Sequence, residues 1–300
     1  MLRRSSRAAF TMVELLVVIG IICLLFAMVL PAIQRIRESA NRLLCQSNMG
    51  QIALALHSYH TDNHRLPPLP SRNAQDPNKA LSWMALILPY IEEDKLYSEA
   101  VQACRINPDG TKNPPHRGFS TVIKTYVCAT DGRLYTPLTD ANKVTAAFTS
   151  YIGIGGTYVQ GAKRGVLGVL GDNPGGSFAA ISDGLTNTLM FGERPPPDSL
   201  QAGWWYPSLW IDGKYNLGPN GMLILGAMDE WAENEKCGHV RLFAPGKLSN
   251  PCDRFQLWSL HPGGANFAFA DATVRFLDYS YESVILSLGS KNGGEVVEIP

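Results

Sequence analysis

The signatures that would assign a reaction are missing from this 300-residue sequence. There is no G-x-S-x-G nucleophile elbow, no H-E-x-x-H zinc helix, no phosphate loop and no D-x-[DN]-x-[DN]-G calcium loop, so no enzyme class is indicated. Neither sign of charge is in excess: 26 Lys and Arg stand against 26 Asp and Glu, which leaves no basic footprint for nucleic acid. Fixed-period repeats and low-complexity tracts are absent. With 45% hydrophobic residues the chain has ample material for a core, and disorder is not its default state.

Long apolar runs are also missing, with one exception. Phe10 to Leu30, FTMVELLVVIGIICLLFAMVL, carries a single acid, Glu14. At about 1.5 Å per residue it makes a helix roughly 30 Å long, the hydrocarbon thickness of a bilayer. The leader before it, residues 1–9, holds Arg3, Arg4 and Arg7 and no acid, which places it in the cytoplasm and the remainder outside. Without those three arginines, 23 basic residues face 26 acidic ones, a net charge of −3. The bulky Met28-Val29-Leu30-Pro31 lacks the small residues of a signal-peptide cleavage site, so the run reads as a retained anchor.

Residues 32–63 continue as a helix, with apolar positions at Ile33, Ile36, Ala40, Leu43, Leu44, Ile52, Ala55, Leu56 and Tyr59 expected to pack on a globular head. Pro31 predicts a bend, because it removes one backbone donor and clashes one turn back. The prolines after His64 predict a stop near Asn63. In the head, residues 64–300, Ser82 to Glu92 reads as a short helix or buried segment, with a helical turn through Tyr97 and Val101. Asn107 to Phe119 reads as a loop. Short β runs are predicted at Thr121–Cys128, Val144–Ile154, Gly165–Leu170, Thr188–Phe191, Trp204–Ile211 and Met222–Leu225. The expected class is α+β: a long kinked N-terminal helix, membrane-spanning in its first half, and a mainly antiparallel β head.

The basic leader followed by Phe10-Thr11-Met12-Val13-Glu14-Leu15-Leu16-Val17-Val18-Ile19 resembles the prepilin signal of type IV pilins and type II secretion pseudopilins. In that family a membrane peptidase cuts before the Phe and methylates the new amino terminus, and the helix is kept. The resemblance implies cleavage between Ala9 and Phe10, an N-methylated Phe10, and Glu14 as the fifth mature residue. Ala9 stands where the family usually has Gly. A carboxylate in an apolar helix needs a partner, and the amino terminus of a neighbouring subunit would supply one and set the stagger between copies. Alternatively, Glu14 reaches the hydrated interface of a monomeric anchor.

Further stretches resemble a large family of prepilin-type secreted proteins that have a head of unknown function and an H-x(9)-D-G motif. They are Cys45 to Gln51, Leu88 to Glu92, Tyr126 to Asp131, Ile181 to Thr188, Gly192-Glu193, His261 to Asp271 and Asn292 to Val297. The resemblance implies a pilin-like or pseudopilin-like subunit with prepilin peptidase, inner-membrane lipid and copies of itself or other pseudopilins as partners. It would be single-pass, with a cytoplasmic N-terminus and an extracytoplasmic head, and could enter a surface or periplasmic filament. No catalytic group or cofactor is expected. The alternative keeps the export route but makes the head a ligand-binding module, for carbohydrate, or an unrecognised hydrolase, with His261 and Asp271 in its site.

Within the motif, Phe267 and Phe269 alternate on one face. A second β run, Thr273 to Leu277, completes a hairpin unit at 261–277 with Asp271-Ala272 at its turn. Where the family has Gly, Ala272 would cost roughly 1 kcal/mol in a left-handed backbone, so either the turn is of another type or it is mildly strained. Among the cysteines, Cys23 is an apolar packer in the span. Cys237 with Cys252 would close a Pro- and Gly-containing loop, and the family-like positions of Cys45 and Cys128 imply a second pair, leaving Cys104 over; the alternative is that all five stay reduced in a protein that has not met an oxidase. His57 with His60, or His60 with His64, would share a helical face suited to a metal, although no third ligand is recognisable. Asp172-Asn173 and Asp183-Gly184 offer oxygens for calcium, which related pseudopilins use, or serve as turns. Trp204, Trp205, Tyr206 and Trp210 would stack on sugar if exposed and fill a β core if buried.

Overall fold

The computed structural model describes residues 12–68, 81–157, 166–167, 170, 176–206, 210–211, 214–215, 222–225 and 236–294. The leader, Ala9 and Phe10 lie outside these, as do Asp172-Asn173 and the tail from 295. The chain divides into two compact units, Met1–Asn41 and Arg42–Pro300.

Helix α1, Met12–Asn63, runs through both and continues across Pro31 without interruption. In the first unit its large apolar side chains are open: from Met12 to Leu30 they are 44–88% exposed. Among the described residues, α1 is the one helix long and apolar enough to cross a membrane.

In the second unit α1 buries Cys45, Met49, Ile52, Ala53, Ala55 and Leu56, a stripe at helical spacing. The stripe is narrower than the sequence predicted. Ile33, Ile36, Leu43 and Leu44 are exposed, because burial begins only at Cys45, where the helix meets the sheet. At the far end His64 turns left-handed (φ 56°) and closes the helix in the manner of a Gly or Asn cap. Leu66 is then buried.

The head opens with α2 (Trp83–Leu86), a 3₁₀ turn at Leu88–Ile91, and α3 (Asp94–Ile106). The run predicted as a strand at Thr121–Cys128 is instead extended chain around a 3₁₀ turn, Lys124–Tyr126. Its hydrogen bonds go to turn partners and to Ser150 rather than to a ladder. A small hairpin follows, of β1 (Leu138–Thr139) and β2 (Thr145–Ala146).

The main sheet contains β3 (Tyr151–Thr157), β4 (Val166–Leu167), β5 (Leu189–Glu193), β8 (Met222–Leu225), β9 (Gly264–Phe269) and β10 (Val274–Asp278), in the order β10-β9-β5-β3-β4. All its pairings are antiparallel except β8, which runs parallel to β3. Strands β6 (Trp210–Ile211) and β7 (Lys214–Tyr215) form a separate pair, and α4 (Glu282–Leu288) closes the described chain.

Two apolar clusters sandwich the central strands. Ala268 and Ala270 face the cluster that includes the α1 stripe. Ala265, Phe267 and Phe269 face the one that includes Phe243, Leu257, Ile285 and Leu288. A register shift between Leu189 and Phe191 lets Met190 and Phe191 both join the α1 side. Gly192 is required beside it, since a Cβ there would come within 2.8 Å of the Phe267 ring.

The β9–β10 turn has three loop residues. Ala272 N donates to Phe269 O at 3.0 Å, and Phe269 N donates to Thr273 O at 2.9 Å. In such a loop the third residue must be left-handed. Ala272 is, with φ 67°. Ala272→Gly should therefore raise the free energy of unfolding by about 1 kcal/mol, as read from the urea midpoint. An unchanged or lower midpoint would show that the turn holds no strain.

Candidate functional site

The residues singled out in the C-terminal motif do not meet. Asp271 caps its own turn, accepting from Thr273 N at 2.9 Å and Thr273 Oγ1 at 2.7 Å. His261 lies before β9, and the six residues of that strand put roughly 20 Å of extended chain between the two. The pairing of His261 with Asp271 in one site is thus corrected: the motif is a buried His and a turn Asp at opposite ends of a strand.

His261 has other neighbours. Pro262 and Gly263 (φ 86°) provide the residue pattern of a type II turn, and Ser259 holds it from inside, accepting from His261 N at 3.0 Å and donating to Gly264 O at 2.6 Å. The ring is thereby set among Cys45 of α1, Cys128 after the 3₁₀ turn, and Glu193 at the end of β5. Its Nε2 lies 3.3 Å from Cys128 Sγ and 3.3 Å from Glu193 Oε1, and its Nδ1 lies 3.4 Å from Thr130 Oγ1. All four residues are buried, and their donor atoms lie within 4.8 Å of one another. The sulfurs of Cys45 and Cys128 form a disulfide, with Cα atoms 5.0 Å apart.

Each member has an outer partner. Glu193 Oε2 accepts from Asn266 N at 2.7 Å and Asn266 Nδ2 at 3.1 Å, and Asn266 Oδ1 in turn accepts from Gln46 Nε2 at 3.0 Å. Ala129 N donates to Cys45 Sγ at 3.1 Å, and Cys128 N donates to Ser150 Oγ at 2.9 Å. Burial pushes the Tyr151 hydroxyl well above its ordinary range, and the Glu193 carboxylate adds to that. Sequence reasoning did not give Glu193 a role. The signal was an acid closing the apolar strand Leu-Met-Phe-Gly-Glu, which can be buried only with a partner.

The remaining predicted residues are placed as follows. Glu14 sits in the exposed first turn of α1. Cys237 and Cys252 form a second disulfide, and Cys23 and Cys104 lie outside both. His57 bonds Ala270 O at 2.9 Å, His60 bonds Ser177 Oγ at 3.1 Å, and both pack against Phe178. Burial holds His60 below its ordinary pKa, with His57 and His64 adding to the shift. These histidines are used in packing, which corrects the metal-face reading.

Asp183 is committed to the segment after the last helix: its carboxylate accepts from Gly293 N at 2.7 Å, Gly294 N at 3.0 Å and Ser290 Oγ at 3.2 Å. The Trp205 indole donates to Thr121 O at 2.9 Å, and Tyr206 hydrogen-bonds His116 at 2.9 Å. Both rings are buried, so they fill the core and form no sugar platform. The side chain of Trp210 lies outside the described residues.

The chain matches, over residues 34–283, the model of the family described as "Protein of unknown function (DUF1559)", and it belongs to that family. It is also 33% identical over 61 residues to the competence protein ComGC of Halalkalibacterium halodurans, covering 20% of this chain and 60% of the relative. No solved structure matches.

The geometry separates the two ends of the motif energetically. In the oxidised protein, His261→Ala should cost about 3 kcal/mol, because it strands the buried Glu193 carboxylate. Asp271→Ala should cost about 1 kcal/mol in lost turn bonds. Urea unfolding of the double variant should return their sum within about 0.5 kcal/mol. A coupling well beyond that would restore a shared site.

Proposed function

We propose that the chain is a membrane-anchored, pilin- or pseudopilin-type subunit, cut between Ala9 and Phe10 by prepilin peptidase and methylated at Phe10. Its role is structural, with no reaction assigned. One observation carries this reading: the fifteen large apolar side chains from Met12 to Leu30 are all exposed, on a helix that continues into the head. In water that surface would be strongly unfavourable, at about 25 cal/mol per Å². Lipid or the matching helix of another copy would cover it. The similarity to a competence protein supports the pilin-type reading.

In this scheme the N-terminus is cytoplasmic and the head extracytoplasmic, as the leader arginines favour. The apolar helices of successive copies pack side by side in a filament. Glu14, the one acid between Met12 and Leu30, sits one turn from the processed end, close enough to meet the methylated amino terminus of the adjacent copy. The tethered-binder reading has less support, because Trp205 and Tyr206 are buried and His261 and Asp271 lie apart.

Intact mass spectrometry of membrane-extracted protein should find residues 1–9 missing and one methyl group added. A chain beginning at Met1, or beyond Pro31, would overturn the proposal. Glu14→Ala should leave the membrane-bound fraction unchanged and abolish cross-linked multimers of the native protein. Full multimer formation in that variant would remove Glu14 from assembly.

A further inference from the structure

The cluster of Cys45, Cys128, Glu193 and His261 holds more polarity than a disulfide needs. A disulfide is satisfied by apolar surroundings, whereas burying a carboxylate costs several kcal/mol unless something offsets it. Glu193 is 1% exposed and His261 2%. Glu193 Oε1 lies 3.3 Å from His261 Nε2, within ion-pair distance, yet it makes no hydrogen bond with any described residue. Cys128 Sγ stands at the same 3.3 Å from Nε2.

We infer that in its dithiol form this cluster is a four-coordinate site for a divalent d-block ion, with zinc the best fit, and that the disulfide is the alternative state of the same two sulfurs. The inference does not depend on the membrane-anchor reading. Two thiolates, one imidazole and one carboxylate form a closed tetrahedral set with no position left for water, which marks a structural site rather than a catalytic one. Around such an ion at about 2.0–2.3 Å from its ligands, neighbouring donors stand roughly 3.3–3.8 Å apart. The separations to Cys128 and Glu193 already have this value. The two sulfurs, bonded to each other in the disulfide, must part, and all four donor atoms already lie within 4.8 Å of one another.

The outer shell is also that of a metal centre. Asn266 fixes the carboxylate, Thr130 lies at the far nitrogen of the imidazole, and the Ala129 amide points at the Cys45 sulfur.

The chemistry balances in both directions. On binding, each thiol gives its proton to solvent as two sulfur–metal bonds form. On oxidation by a disulfide-bearing partner, the two thiolates pass two electrons to that disulfide. It takes up two protons and leaves as a dithiol, Cys45 and Cys128 become bonded, and the ion is released. A chain made reduced needs no added reductant to load the site.

The test uses the full chain in detergent, with Cys237→Ala and Cys252→Ala removing the other pair, reduced by a phosphine under nitrogen and titrated with Co²⁺. The expected result is one Co²⁺ per chain, with thiolate charge-transfer and intense tetrahedral ligand-field bands that Zn²⁺ abolishes. The oxidised chain should show none. Asn266→Ala should weaken binding roughly ten- to a hundredfold, and Glu193→Gln, which removes a ligand, by more than Asn266→Ala does. If the reduced chain is unfolded without metal, Co²⁺ should refold it, as read by circular dichroism. Absence of the bands, or failure to refold, would overturn the inference. So would bands that persist unchanged in both Cys45→Ser and His261→Ala.

Discussion

The head is organised by the contact between the last turns of α1 and strand β9. Gln46 bonds Asn266 near one end of the strand, and His57 bonds the carbonyl of Ala270 just past the other. Eleven helical residues rise about 16 Å and four strand residues extend about 13 Å, so the two elements lie along each other with matched length. Between those ties β9 presents Ala268 to the helix, a side chain small enough for Met49, Ile52, Ala53 and Leu56 to close over the sheet. The large residues of the same strand, Phe267 and Phe269, go to the opposite face. Burying the larger helix side chains, Met49, Ile52 and Leu56, contributes about 1.5–3 kcal/mol each, which offsets part of the entropy of ordering this part of the helix.

That contact explains why polar residues are tolerated nearby. Once α1 is seated, Cys45 is carried to Cys128, and the ends of β5 and of the His261 turn are carried to the same place. The carboxylate of Glu193 can be buried because Asn266 gives it two donors and His261 approaches its other oxygen. An acid left there alone would be among the most destabilising features of the head. The bridge from Cys45 to Cys128 spans 83 residues, so it also limits how far the unfolded chain can separate helix from head.

The apolar helix and the head answer to different solvents. Between Met12 and Leu30 the large side chains are exposed, while from Cys45 onward α1 buries a stripe in the head's core. One continuous element therefore joins a surface that water disfavours to a body that carries its own interior. The family match, residues 34–283, begins after the apolar part of the helix and covers most of the head.

What the sequence determined by itself was whatever depends on neighbours along the chain. The apolar helix, its end at Asn63, the strand at Met222–Leu225 and the hairpin turn follow from local length and period, whereas the structure decided that Ala272 turns left-handed. The class, a long apolar helix and a β-rich head, was legible for the same reason. The strand expected at Thr121–Cys128 was not there, because an apolar run becomes a strand only if another strand offers it a ladder. Which apolar residues of α1 are buried was decided by where the sheet lies. Likewise His261, Glu193, Cys45 and Cys128 stand far apart in sequence, and their meeting is a product of chain crossings that no local preference encodes. Burial of a charged group becomes affordable only when tertiary structure has brought its partners to it.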